Sequence, residues 1–177
     1  MKLESSMDMQ DLVRVNHLWA RIYPFIADQI LSHYLKKDGD VLEWGPFSGG
    51  VSFSLLGRKP AMEITIAVES PEVFSVMETE LSRRQLTGKI RLMESPLVPL
   101  VYDDRSFDLV VVRGGYFFLD PHGEALREIF RVLKKGGIAF VGGGYGKDTP
   151  QEMIDGIAAE SRILNDRLGR IRVSVEE

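Results

Sequence analysis

Ten consecutive residues carry the chain's most chemically suggestive pattern: Val41-Leu42-Glu43-Trp44-Gly45-Pro46-Phe47-Ser48-Gly49-Gly50. An apolar run passes through a glycine-rich turn into the start of a helical pattern. Glycine lets a backbone turn tightly and approach a ligand where a Cβ would collide. A dinucleotide site needs Gly-x-Gly-x-x-Gly, its middle glycine admitting a pyrophosphate to the helix N-terminus. Gly45 and Gly50 fit the outer positions, but Phe47 stands at the middle one and obstructs a pyrophosphate. No Gly-Lys-Ser/Thr follows, so a phosphate-cradling P-loop is excluded. Two carboxylates stand at comparable places: Glu43 within this run, and Glu69 at the end of the next apolar run. Such a group is costly to bury without a cation or hydrogen-bond donors, and its two oxygens can accept a pair of hydrogen bonds.

The elements that would position these groups follow from periodicity. Leu12, Val15, Trp19, Ile22, Ile26 and Ile30 recur at three- and four-residue steps, an apolar stripe of helical period. Pro24 breaks it into helices over about 6–22 and 24–37, with Lys36, Lys37 and Gly39 closing the second. From residue 40 short apolar runs at 41–44, 64–68, 90–93, 109–112 and 138–141 alternate with helical patterns near 50–57, 71–86 and 121–135. The last of these opens on Asp120-Pro121 and closes on Lys134-Lys135-Gly136-Gly137; a further helix spans about 149–168. Runs apolar on both faces suit a covered parallel sheet, and the alternation implies right-handed βαβ units. The expected fold is therefore α/β, a doubly wound, mostly parallel open sheet. Ligands of such sheets sit outside the carboxyl ends of the strands, where the strand order reverses.

Composition sets the frame. The 177 residues are 44% hydrophobic and 27% charged, with a net charge of −4 and no cysteine. That describes one domain, divided into an N-terminal helical segment 1–38, a core 39–147, and a helix with tail 148–177. Disulfides, thiol nucleophiles and cysteine metal sites are excluded. No His-x-x-x-His spacing or Ser/His/Asp arrangement is visible, so no metal is expected. A mildly acidic chain without a long apolar run or a secretory leader points to a cytoplasmic protein with neither nucleic acid nor membrane as partner.

Five motifs in order extend the pattern of the first loop. Val41 to Gly49 is similar to V-L-D/E-x-G-x-G-x-G. Ile64-Thr65-Ile66-Ala67-Val68-Glu69 is a strand ending in an acid, and Leu92-Met93-Glu94-Ser95 is a strand with an acidic-small pair. Ser106-Phe107-Asp108-Leu109-Val110-Val111 and Leu126 to Gly137 complete the series. Together, over about residues 10–147, they resemble the class I S-adenosylmethionine (SAM)-dependent methyltransferases, with a Rossmann-like fold. The resemblance implies a SAM site at Glu43, Gly45, Pro46, Phe47, Gly49, Glu69, Glu94, Ser95, Arg113 and Tyr23. Glu69 would take the ribose hydroxyls, and Glu94 and Ser95 would border the adenine. Glu43 would face the methionine amino group, the alternative being a carboxylate satisfied by loop amides. Arg113 would border cofactor and acceptor, holding an anionic substrate or a neighbouring carboxylate, and Tyr23 would cover the cofactor. Phe47 departs from the family's usual glycine, so its ring either swings outward or narrows the methionine end.

The function so implied is methyl transfer from SAM, released as S-adenosyl-L-homocysteine (SAH), to a small-molecule acceptor by in-line displacement. Because the methyl is already activated, alignment does most of the work and no catalytic residue is singled out. The alternative is a non-catalytic binding or scaffolding module of the same fold. The family's sheet normally gains two more strands, six and seven, which are expected here to be missing or incomplete. That places strand five near an edge, where a homodimer through the incomplete sheet is one expected outcome and a shortened enzyme the other.

Overall fold

The computed structural model describes residues 9–45, 49–96, 98–113 and 122–167. Among them are helices α1 (Met9–Ala20), α2 (Tyr23–His33), α3 (Gly50–Arg58), α4 (Pro71–Arg83), α5 (Glu124–Val132) and α6 (Gln151–Arg167). The strands are β1 (Gly39–Trp44), β2 (Met62–Val68), β3 (Ile90–Glu94), β4 (Phe107–Arg113) and β5 (Leu133–Gly142). They form one sheet in the order β3-β2-β1-β4-β5 with every pairing parallel. The order reverses between β1 and β4, so the crevice expected of this architecture lies at their carboxyl ends.

Burial follows position in the sheet. Every residue of β4 is buried and β2 is nearly so, whereas β3 and β5, the edges among the described residues, are partly exposed. One face packs Val41, Ile64, Ile66, Leu109 and Val111 against α1 to α4 and α6. The other packs Leu42, Trp44, Val110 and Val112 against Ala125, Ile129 and Val132 of α5 and against Leu100. Alternate residues of each inner strand thus serve opposite cores, which is why these runs read as continuously apolar. Among the described residues no helix is long and apolar enough to cross a membrane.

Three boundaries differ from expectation. Helix α2 stops at His33, and the chain leaves it through Tyr34, whose hydroxyl donates to the Asp38 carbonyl at 2.7 Å. Lys36 therefore does not complement a helix end; it reaches Asp108 at 2.5 Å. Helix α5 begins at Glu124 behind a left-handed Gly123 (φ 73°), while Asp120 and Pro121 lie outside the described residues. Lys134 to Gly137 belong to β5 rather than to a helix stop. Leu133 pairs with Phe107 and Ile138 with Leu109, so the intervening residues form an irregularity with Gly136 at φ 79°. The detour lets Lys134 donate to Asp108 at 2.8 Å and Asp40 at 2.5 Å. The resulting ion cluster ties the α2–β1 connection, β1, β4 and β5 together at the amino end of the sheet, away from the crevice.

Candidate functional site

Glu43 is the penultimate residue of β1 and only 2% exposed. Its Oε2 accepts from the Ser52 amide at 2.6 Å. Ser52 sits at the third position of α3, where the backbone N–H groups have no partner within the helix. The β1 carboxylate thus caps α3 from across the turn, favoured by the positive end of the helix dipole. Burial pushes the Glu43 carboxyl up, and the donors of Ser52, Gly49 and Val51 oppose the rise. The loop-amide reading of Glu43 therefore describes its contacts here.

The turn itself begins at Gly45, with φ 134°, and ends at Gly49, with φ 111°. Both values are strained for any residue with a Cβ. A Cβ on Gly49 would also come within 2.2 Å of Met77 Cε. Gly50 needs its missing Cβ for another reason: the added atom would lie 1.9 Å from the Tyr23 ring. Pro46 and Phe47 lie outside the described residues.

Across the strand-order reversal, Arg113 ends β4 with 6% exposure. Its Nη2 donates to the Gly144 carbonyl at 3.0 Å. The guanidinium lies 4.8 Å from the Trp19 ring centroid and 5.3 Å from that of Tyr23. Trp19 in turn meets Tyr145 at 5.5 Å. Tyr23, 4% exposed, opens α2 just before Pro24. Tyr23 Oη and Arg113 Nε are both buried without a hydrogen-bond partner. Burial pushes the Tyr23 phenol up to about 12, with Arg113 pulling down and Glu43 adding to the rise. The Arg113 guanidinium is lowered by burial, against the influence of Tyr23, Glu43 and Tyr145. Beside Tyr23 and Gly50 a cavity of about 840 Å³ opens between α1, α3 and α4, with Ala20, Phe53 and Met77 also in its wall.

The remaining candidates occupy the ends of the next two strands. Glu69 follows Val68 directly and is exposed, and Ser70 then caps α4 by accepting from the Val73 amide at 3.1 Å. Glu94 pairs in register with Val68 at the end of β3 and is exposed. Ser95 is 2% exposed, and its amide continues the ladder by donating to the Val68 carbonyl at 2.9 Å. Its hydroxyl donates to the Pro96 carbonyl at 3.1 Å. Glu43, Gly45, Gly49, Arg113 and Tyr23 thus converge around the β1–β4 reversal, while Glu69, Glu94 and Ser95 extend the line toward the β3 edge.

Sequence reading passed over two contributors. Trp19 registers only as one member of an apolar stripe, and its place over Arg113 depends on how α1 lies across the strand ends. Ser52 carries a local signal, since it stands three residues past Gly49, the glycine just before α3. Among the described residues no group of three His, Asp or Glu side chains is arranged to hold a metal ion.

Relatives share this framework. A protein of Methanococcus maripaludis, assigned as a SAM-dependent methyltransferase, superimposes with a TM-score of 0.80 and 26% identity, covering 96% of this chain and 77% of that one. The demethylmenaquinone methyltransferase of Thermus thermophilus is 27% identical over 97 residues, 55% of this chain and 43% of its own length. The ubiquinone/menaquinone biosynthesis C-methyltransferase of Xylella fastidiosa strain M12 is 29% identical over 137 residues, 75% of this chain and 51% of its own. The chain spans about half the length of the curated relatives it matches. A family profile described as the methyltransferase domain matches residues 42–141, from β1 with its glycine turn to β5, and the chain belongs to that family.

Proposed function

We propose that this protein binds SAM across the carboxyl ends of β1, β2 and β4 and directs its methyl group to a small-molecule acceptor. One observation carries the reading. The turn from Gly45 to Gly49 stands at the strand-order reversal of a methyltransferase-family sheet, with positive φ at both ends. The residues fit the cofactor. Glu69 presents an exposed carboxylate at the end of β2 for a pair of ribose hydroxyls, and Glu94 and Ser95 follow at β3 for the adenine. At the other end lie Tyr23 and Arg113, whose buried Oη and Nε have no hydrogen-bond partner.

Bound SAM supplies a methyl group already activated on a sulfonium. The chain's own work is to hold donor and acceptor in line at about 3–3.5 Å and to keep water away. A base is required only where the acceptor must lose a proton in the step. The cavity beside Tyr23 and Gly50 gives a small acceptor room next to the turn. The same reading places the protein in the cytoplasm, without nucleic acid or membrane as partner, on its mildly acidic, cysteine-free composition. The partly exposed β5 edge supports a homodimer, which light scattering at micromolar concentration tests. Calorimetry with SAM and SAH tests the cofactor. Binding of both is expected; binding of neither would favour a scaffolding module.

A further inference from the structure

The cavity of about 840 Å³ between α1, α3 and α4 is walled mainly by apolar side chains, among them Val13, Ala20, Phe53, Val76 and Met77. That is the size and lining of a small-molecule pocket. Its charged and titratable groups are His17 on α1 and Glu80, Arg83 and Arg84 at the end of α4. Glu80 serves both guanidiniums, accepting from Arg83 Nε and Nη2 at 2.8 Å and from Arg84 Nε at 2.5 Å. One carboxylate against two guanidiniums leaves one positive charge uncompensated. The Arg84 guanidinium lies 4.6 Å from the Phe53 ring centroid, and its two terminal nitrogens donate to nothing among the described residues. Fixed at Nε by Glu80 and stacked on Phe53, that fork is set to receive an anion. Phe53 also reaches the glycine turn, its Cζ 3.3 Å from where a Cβ at Gly49 would stand, and Met77 closes on the same place. A single aromatic ring separates the turn from the cation.

We propose that this cavity takes the methyl acceptor, and that the acceptor is an apolar molecule carrying one anionic group. The anion sits on Arg84, the body lies along Phe53, and the reacting end points toward the Gly45–Gly49 turn. The inference rests on the strand ends holding SAM. Arg84 is 40% exposed, so an anion reaches it from solvent. Glu80 beside it turns away a second negative charge, and the apolar walls favour a ligand whose body sheds water readily.

Calorimetry on the full chain tests this with two probes of one shape, 2-naphthoate and the neutral 2-naphthamide, each added to ligand-free and to SAH-loaded protein. The wild type is expected to bind 2-naphthoate at least fivefold more tightly than 2-naphthamide, with SAH present as well as without it. Arg84→Gln is expected to weaken 2-naphthoate at least fivefold and to leave 2-naphthamide and SAH within twofold, which also shows that the variant is folded. Arg84→Lys keeps the charge but not the fork, and should fall between the two. Val13→Trp, which places an indole in the cavity from α1, should weaken both probes at least fivefold with SAH unchanged. No binding of either probe, equal affinity for the two, or 2-naphthoate indifferent to Arg84→Gln overturns the anion site. Probes indifferent to Val13→Trp bind outside this cavity, which overturns it too. Probes that SAH expels overturn the acceptor role, since an acceptor must share the protein with the cofactor. If SAH fails to bind the wild type, the methyltransferase reading is what fails, and the response of 2-naphthoate to Arg84→Gln then decides the anion site by itself.

Discussion

Glu43 and Ser52 are joined at 2.6 Å, the carboxylate of β1 accepting from the third amide of α3. The bond fixes the two ends of the glycine turn relative to each other without using the turn's own atoms. Replacing Glu43 by Ala leaves buried amides of α3 unsatisfied. A loss of about 2 kcal/mol in stability is expected, given ~1–3 for an orphaned buried donor. Glu43→Gln retains one acceptor and should cost less. Urea denaturation of the three proteins checks the order, and equal midpoints would show that the cap contributes nothing.

Glu69 behaves oppositely, because it is exposed and its carboxylate has no bonded partner among the described residues. Glu69→Ala should leave the melting temperature unchanged and weaken SAM by about 2 kcal/mol, roughly thirtyfold, for loss of charged hydrogen bonds. Calorimetry decides. Affinity within twofold of the wild type would remove the carboxylate from the ribose.

Phe47 lies outside the described residues, so its prediction rests on sequence. If its ring narrows the methionine end, Phe47→Gly tightens SAM binding or leaves it unchanged, which is the outcome expected. A tenfold loss would show instead that the ring packs on the ligand.

Asp108 sets an acid limit on stability. Burial alone would raise its carboxyl, but donation from Lys134, Lys36 and the Asp40 amide outweighs that and holds it far below the usual range. A carboxylate depressed in the folded state adds stability that is complete above its unfolded pKa of about 3.9 and is lost as pH falls toward the folded value. Wild-type stability should therefore decline below about pH 4, with Glu80, lowered to about 2 chiefly by Arg83, contributing in the same direction. Asp108→Asn should be less stable at pH 7 by about 2 kcal/mol, from ~1.5–3 for charged hydrogen bonds. Its decline between pH 4 and pH 2 should be shallower. Parallel urea titrations across that window would contradict this if the two slopes matched.

The strands were legible because central positions must serve two cores, and Val41 to Trp44 or Leu109 to Val112 can satisfy both only by being apolar throughout. The motif acids were legible because each stands at the end of such a run. What escaped were features decided by distant partners. Lys134-Lys135-Gly136-Gly137 has the composition of a helix stop, and only pairing of Leu133 with Phe107 makes it strand. Lys36 suits a helix end equally well until Asp108, far along the chain, draws it away. The aromatic seat of Arg113 likewise comes from α1 and α2, whose spacing announces burial but not which side chain they will bury.

Gly50 and Tyr23 carry a mechanical consequence. The phenol ring already fills the volume a methyl group at residue 50 would need, so α2 rests directly on the first turn of α3. A shift of the first turn of α3 toward α2 would run into that ring, so the room for such a shift is set by Tyr23 and the helix that carries it. The missing Cβ is the notch, and the phenol ring is what sits in it.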